Sequence, residues 1–181
     1  MLEWIKTIGK IIYDRPTRER VMGFRPVVMN LIQSTSDDTY LFVRPTAKPS
    51  AWMLAQEGIE LNESIERAAV RCLDVELGIS EKQLHYRRKI WLSRKAIPER
   101  AGERDVDYSI RKMQGKAYYA ALIKVDKEQV EIALNPAELS SFKWLTIEEI
   151  KRSLDSNSDR KQSLIIDAFQ KLLNITIVRE A

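Results

Sequence analysis

Apolar side chains recur at helical spacing from the first residues of the chain. Leu2, Ile5, Ile8, Ile11 and Ile12 fall on one stripe, so residues 1–13 are predicted to form a short amphipathic helix that Pro16 ends or follows. Such a stripe packs on the domain or on a second copy, or lies on a membrane surface or partner. Residues 24–34 are rich in Val, Leu and Ile and read as a strand. Residues 39–44 read as its hairpin partner, with Ser36-Asp37-Asp38 as the turn between them. Two prolines make residues 45–51 a loop. Residues 63–77 read as a helix, with Asn62 or Ser64 able to cap its start and Gly78 directly after its end. Strand patterns return at 85–92 and 117–125, separated by a long polar connection over 93–115. A short strand near 140–145 precedes a helix at about 146–154, and a longer helix is predicted over about 159–173. Ile175-Thr176-Ile177-Val178 reads as a small last strand. This alternation predicts an α/β (α+β) domain, with a mixed sheet covered by helices.

Length and composition narrow this picture. With 181 residues there is room for one domain over 21–181, preceded by the helix and linker of 1–20. A content of 44% hydrophobic and 31% charged residues, with sparse Gly and Pro, excludes a fibrous or disordered chain. No apolar run approaches the roughly 20 residues that cross a bilayer. The first residues lack the long apolar stretch and cleavage site of a secretory signal. Cys72 is the single cysteine, which excludes an internal disulfide. A cytoplasmic location is the expectation from these features. The net charge is +4, and the basic excess gathers in residues 85–116. Arg87, Arg88, Lys89, Arg94, Lys95, Arg100, Arg104, Arg111, Lys112 and Lys116 are opposed there only by Glu99, Glu103, Asp105 and Asp107. That stretch reads as a solvated surface or as a rim that attracts phosphates. His85 is the only histidine, so histidine-rich metal sites and Ser-His-Asp clusters have little to build on.

The most informative stretch is 52–79, Trp-Met-Leu-Ala-Gln-Glu-Gly-Ile-Glu-Leu-Asn-Glu-Ser-Ile-Glu-Arg-Ala-Ala-Val-Arg-Cys-Leu-Asp-Val-Glu-Leu-Gly-Ile. It resembles the Nudix box, G-x5-E-x7-R-E-U-x-E-E-x-G-U, where U is aliphatic. Anchored on Gly78, the pattern aligns Glu63, Arg71, Leu73, Glu76 and Ile79 with their family positions. It departs at three places. Glu57 stands where the box begins with glycine, although Gly58 follows it; Cys72 and Val75 stand where the family has glutamates. Outside the box, Phe24-Arg25-Pro26, Trp52 and Pro136-Ala137-Glu138-Leu139-Ser140-Ser141-Phe142-Lys143-Trp144 resemble bacterial RNA 5′-pyrophosphohydrolases. The resemblance covers roughly residues 24–173.

The resemblance implies a Nudix fold and hydrolysis of a phosphoanhydride bond assisted by Mg2+ or Mn2+. Such cations neutralise a polyanionic substrate and orient the attacking water, and they want oxygen ligands. A helix can present ligands at i, i+3 and i+4 on one face, which are positions 72, 75 and 76 here. Cys72 and Val75 supply no carboxylate, and Asp74 points about 100° or more away from that face. Glu76 therefore remains from the box, and Glu138 matches a family loop glutamate that assists metal binding or deprotonates water. These two are the expected catalytic and metal residues. By resemblance Arg25, Gln56 and Lys116 would bind substrate. Glu63 would pair with Arg71 to tie loop to helix, with Gly58 and Gly78 shaping the backbone. Cys72 reads either as a reactive thiol or as a small buried hydrophobe. Trp52, Tyr118, Tyr119 and Trp144 read either as core or as platforms for a base. Three functions stay open. One is a hydrolase of a nucleoside-diphosphate-linked compound or of a nucleotide or RNA 5′ polyphosphate, with weakened metal-dependent turnover. Another is a Nudix domain without catalysis, needing no cofactor, that binds a nucleotide, RNA or protein. The last is an assembly role, a homodimer included, through the terminal helices.

Overall fold

A computed structural model describes residues 15–96, 115–155 and 162–175. The predicted helix 1–13 lies outside them, as do residues 97–114 of the polar connection, 159–161 of the last helix and 176–178 of the last strand. In chain order the elements are α1 (Arg15–Val21), β1 (Phe24–Ser34), β2 (Tyr40–Pro45), β3 (Ala55–Gly58) and α2 (Ile65–Leu77). They continue with β4 (Leu84–Ala96), β5 (Gly115–Val125), β6 (Leu139–Leu145), α3 (Ile147–Asp155) and α4 (Gln162–Leu173).

The strands form one mixed sheet in the order β4-β5-β1-β2-β6, with β3 added on β1. β1 and β5 run parallel from Phe24↔Gly115 to Ser34↔Val125. The β1–β2, β1–β3, β2–β6 and β4–β5 pairs are antiparallel. β1 serves two partners on one side. It pairs with β3 through Val27–Asn30 and with β2 only at Gln33↔Tyr40. Just before β3, Met53 bridges to Val43 of β2. The sheet is thus split at the end where β1 begins, and the backbone around Trp52 sits in the split.

Side chains of successive β1 residues alternate between two cores. Val27, Met29 and Leu31 join Tyr40, Phe42, Tyr118 and the buried residues of α3 and α4. Val28 and Ile32 join Ala55, Tyr119 and the buried residues of α2. The first core includes an edge-on contact of Tyr40 with Phe169, ring centroids 4.9 Å apart. Helices on both faces of a mixed sheet is the layering expected from the sequence.

Three elements differ from the expected ones. α1 includes Pro16, which falls in the first helical turn, where its missing N–H costs no bond. Glu19, 4% exposed, holds α1 to β4: Arg94 Nε and Nη2 donate to its carboxylate at 2.6 and 2.8 Å. That pairing removes one cation from the predicted basic rim. Arg20 also donates from its guanidinium to the Ile59 carbonyl. β3 was hidden in the stretch read only as box, because four residues carry no visible alternation. β4 runs on to Ala96 rather than stopping at residue 92, since Arg94, Lys95 and Ala96 find backbone partners in Ala117, Lys116 and Gly115. Polar side chains mask a strand that pairing enforces.

Gly78 closes α2 with φ 69°, its N–H bonding Asp74 O while Ile79 N–H bonds Leu73 O. A Cβ there would stand 2.9 Å from Ala133 Cβ. Gly78→Ala is expected to lower stability by about 1–3 kcal/mol, read as a lower urea midpoint at constant m. An unchanged midpoint would mean that the turn is not constrained as described.

Candidate functional site

α2 follows directly from its sequence. Ser64 caps it by accepting from the Arg67 N–H at 3.2 Å. Ile65, Ala68, Ala69, Cys72, Leu73, Glu76 and Leu77 form the buried stripe at i, i+3, i+4 spacing. Glu76 is thus on the core side, 7% exposed. Cys72, one turn earlier, is fully buried, and burial pushes its thiol well above the ordinary range. Of the two readings kept open for Cys72, the environment is that of a buried hydrophobe. Val75 projects outward, 52% exposed. The three helix positions therefore differ in depth: one sealed, one at the rim and one a buried carboxylate.

Arg71 ties the loop before α2 to the helix. Its Nε donates to Glu63 Oε1 at 2.9 Å, and Nη2 donates to Glu63 Oε2 at 2.9 Å and to the Gly58 carbonyl at 2.8 Å. Nη1 lies 3.8 Å from both Glu57 and Glu60 carboxylates. Glu63 Oε2 also accepts from the Glu60 N–H at 2.8 Å. The Arg71 guanidinium holds the Glu63 carboxyl below its ordinary range.

Glu57 was read in the sequence only as a departure from the box glycine. β3 pairs it with Val28, so its side chain points to the α2 face. There it meets Arg71, and its charge reaches Glu76. One of its oxygens accepts from the Gly58 N–H at 2.7 Å. An acidic residue flanking the box was the available signal, and only β3 pairing revealed where it points. Glu138 arrives from the other side. Its segment is fastened to the end of α2 by Ala133 N–H to Leu77 O and Asn135 N–H to Glu76 O, both 2.9 Å. Thr46 N–H donates to the Glu138 carbonyl at 2.8 Å. The charges of Glu57 and Glu138 thereby reach Glu76 from two sides. Burial, then the negative charge of Glu57, push the Glu76 carboxyl up to about 7; a hydrogen bond with Cys72 opposes them, Glu138 adds a smaller push and Arg71 a still smaller pull.

The expected substrate residues lie on the opposite face. Arg25 is in register with Lys116, and Gln56 with Met29. Arg25, Val27 and Met29 alternate onto the α3/α4 side. The Arg25 guanidinium passes so close to Gly58 that a Cβ there would lie 2.9 Å from Nη2. Gly58 thus leaves room for the Arg25 side chain to lie against the β3 backbone. Tyr118 and Tyr119 are core residues, while Trp52 and Trp144 are half-buried. The oxygen-only, anionic donors Glu57, Glu76 and Glu138 suit a hard divalent cation in chemistry. Among the described residues, no group of three His, Cys, Asp or Glu stands close enough together to hold a metal ion.

Taken together, a split mixed sheet between helical layers, an Arg-braced loop and a helix ending on a buried glutamate define a Nudix-type architecture. A family model described as NUDIX domain matches residues 23–165, and the chain belongs to that family. It is 32% identical over 95 residues to an RNA pyrophosphohydrolase of Coxiella burnetii, a match spanning 51% of this chain but only 39% of that protein. An RNA pyrophosphohydrolase of Saccharophagus degradans is 29% identical over 134 residues, 68% of this chain and 72% of that one. In fold it resembles the E. coli dihydroneopterin triphosphate pyrophosphohydrolase, with TM-score 0.60 and 14% identity over 84% of this chain and 99% of the other. The C. elegans Ap4A hydrolase gives TM-score 0.54 and 15% identity, covering 82% and 98%. Among the described residues no helix is long and apolar enough to cross a membrane.

The Glu76 carboxyl binds more proton in the folded than in the unfolded chain between about pH 4.5 and 7. Its contribution to stability is therefore full below that window and lost as pH rises through it. Without divalent cations, Glu76→Gln is expected to melt higher than the unaltered protein at pH 8, with the gap closing towards pH 4.5. Thermal denaturation across this range checks it, and parallel pH profiles would contradict the described surroundings of Glu76.

Proposed function

We propose that this chain is a Nudix hydrolase that cleaves a phosphoanhydride bond in a nucleoside-diphosphate-linked compound or in a nucleotide or RNA 5′ polyphosphate. The observation that carries the reading is the buried Glu76 carboxyl at the end of α2, which the charges of Glu57 and Glu138 reach. A buried carboxyl facing other negative charges is opposed by them, and folding alone gains nothing from that. Family membership and the names of the two RNA pyrophosphohydrolases support the same class.

Glu76 and Glu138 are the residues that would hold Mg2+ or Mn2+. When bound, the cation supplies charge neutralisation of the phosphates and orientation of water. In the hydrolysis, the water oxygen forms a bond to phosphorus. The bridging P–O bond breaks and the leaving phosphate keeps its electron pair. Glu138, on its loop, accepts the proton that the water releases. Arg25, Lys116 and Gln56 hold the phosphates from the other face of β1 and β3. Glu63 and Arg71 keep the loop and helix in register, so that Gly58 brings both sets together. With Cys72 sealed and Val75 apolar, turnover is slower than that of a site with all box glutamates.

Those same two positions favour a second reading, a Nudix domain that binds a nucleotide, RNA or protein without cleaving it. A hydrolysis screen separates the two. It covers 5′-triphosphate RNA, dinucleoside polyphosphates, ADP-ribose and nucleoside triphosphates, each with Mg2+ and with Mn2+. Metal-dependent turnover that falls about a hundredfold or more in Glu76→Gln is expected. Binding without turnover above that variant would replace the hydrolase by the binding domain.

A further inference from the structure

Trp52 stands in the split of the sheet, half-buried against the core beneath α3 and α4. Two cations lie over its indole. The Arg44 guanidinium carbon is 4.4 Å from the ring centroid and Lys143 Nζ is 4.3 Å from it. Both come from the β2–β6 pair, where Phe42 faces Lys143 and Arg44 faces Ser141. Directly opposed residues share a face, so Arg44, Ser141 and Lys143 emerge together on the α3/α4 side, beside Phe42.

The cluster is rich in donors and poor in acceptors. Among the described residues, no ion pair joins Arg44 or Lys143 to a carboxylate. Arg44 Nε and Ser141 Oγ are buried without a hydrogen-bond partner. Burial and the Arg44 charge, against an opposing pull from Glu149, hold the Lys143 ammonium below its ordinary value. Attraction to the indole accounts for one cation over the ring; a second brings repulsion and leaves a buried donor unmet. What satisfies two neighbouring cations without a carboxylate partner is a multi-oxygen anion, and phosphate fits that description.

The place of the cluster says which phosphate. Ser140 Oγ donates to the Arg44 carbonyl, and Thr46 beside it bonds the Glu138 segment, so the cluster adjoins the Glu138 loop. Arg44 and Lys143 nevertheless project from the α3/α4 face, while Glu76 sits on the α2 face. Layers on a sheet are on the order of 10 Å apart, too far for one phosphate to touch both. We propose that Arg44, Ser141 and Lys143, set around Trp52, form a second phosphate-binding point that takes the far end of a polyphosphate chain. It selects substrates with three or more consecutive phosphates over diphosphates linked to a neutral sugar. This rests on the hydrolase reading for the word substrate, and on the cluster alone for the anion site.

The test is calorimetric binding of inorganic tripolyphosphate and pyrophosphate to the full chain, in EDTA and at 0.15 M salt, an ionic strength that screens exposed charges beyond about 8 Å. Tripolyphosphate is expected to bind at least tenfold more tightly than pyrophosphate. Arg44→Gln and Lys143→Gln should each erase that preference, while Lys143→Arg keeps it. Glu76→Gln should leave it intact. Thermal melts run alongside carry a second readout. If the two cations only brace Trp52, both Gln variants melt lower and bind tripolyphosphate as the unaltered protein does, and the proposal is overturned. Equal affinity for the two anions in the unaltered protein overturns it as well. The expected preference in a protein that hydrolyses no nucleotide would leave the anion site standing and remove the hydrolase reading instead.

Discussion

The Arg71 guanidinium is the tie on which the rest of the site depends. It donates to both oxygens of Glu63 and to the Gly58 carbonyl, and it sits near Glu57 and Glu60. One planar cation thus joins the end of β3, the loop and the middle of α2. A planar fork can bind a carboxylate with two bonds while its remaining N–H meets a carbonyl; a lysine ammonium has no such geometry. The Glu63 carboxyl is correspondingly held in its charged form.

The same neighbourhood contains an opposed arrangement. Glu76 is buried where Glu57 and Glu138 also direct negative charge, and its proton is held more tightly as a result. Arg71 offsets only part of this, because its donors are already engaged with Glu63 and Gly58. A stable brace and a strained carboxylate thus stand side by side, the first holding the second in place. Burial of a carboxyl beside other negative charges gives the fold itself no benefit, and shifted carboxyls of this kind concentrate at functional sites.

The sheet separates the chemistry into two faces. Glu57 and Glu76 lie on the α2 side with Arg71 among them, while Arg25, Arg44 and Lys143 lie on the α3/α4 side. Gly58 matters there because the absence of a Cβ lets the Arg25 guanidinium lie against the backbone.

Local sequence determined what depends on neighbours along the chain. The period of apolar residues, Ser64 and Gly78 as caps, and the spacing of Glu63, Arg71, Glu76 and Gly78 were enough for α2, for most strands and for the family. These features are legible because helix periodicity, capping and loop-to-helix ties act over a few residues. Glu57 could not be placed in the same way, since its direction is set by β3 pairing with β1. The partnership of Arg44 and Lys143 over Trp52 was equally hidden, because it comes from β2–β6 register across about a hundred residues of chain. Nor did α1 or the length of β4 show, for both rest on distant partners: Glu19 with Arg94, and the β4 backbone with β5. Tertiary structure alone decided which charged groups face which, because strand register turns sequence separation into contact and one residue of shift would send each side chain to the other face.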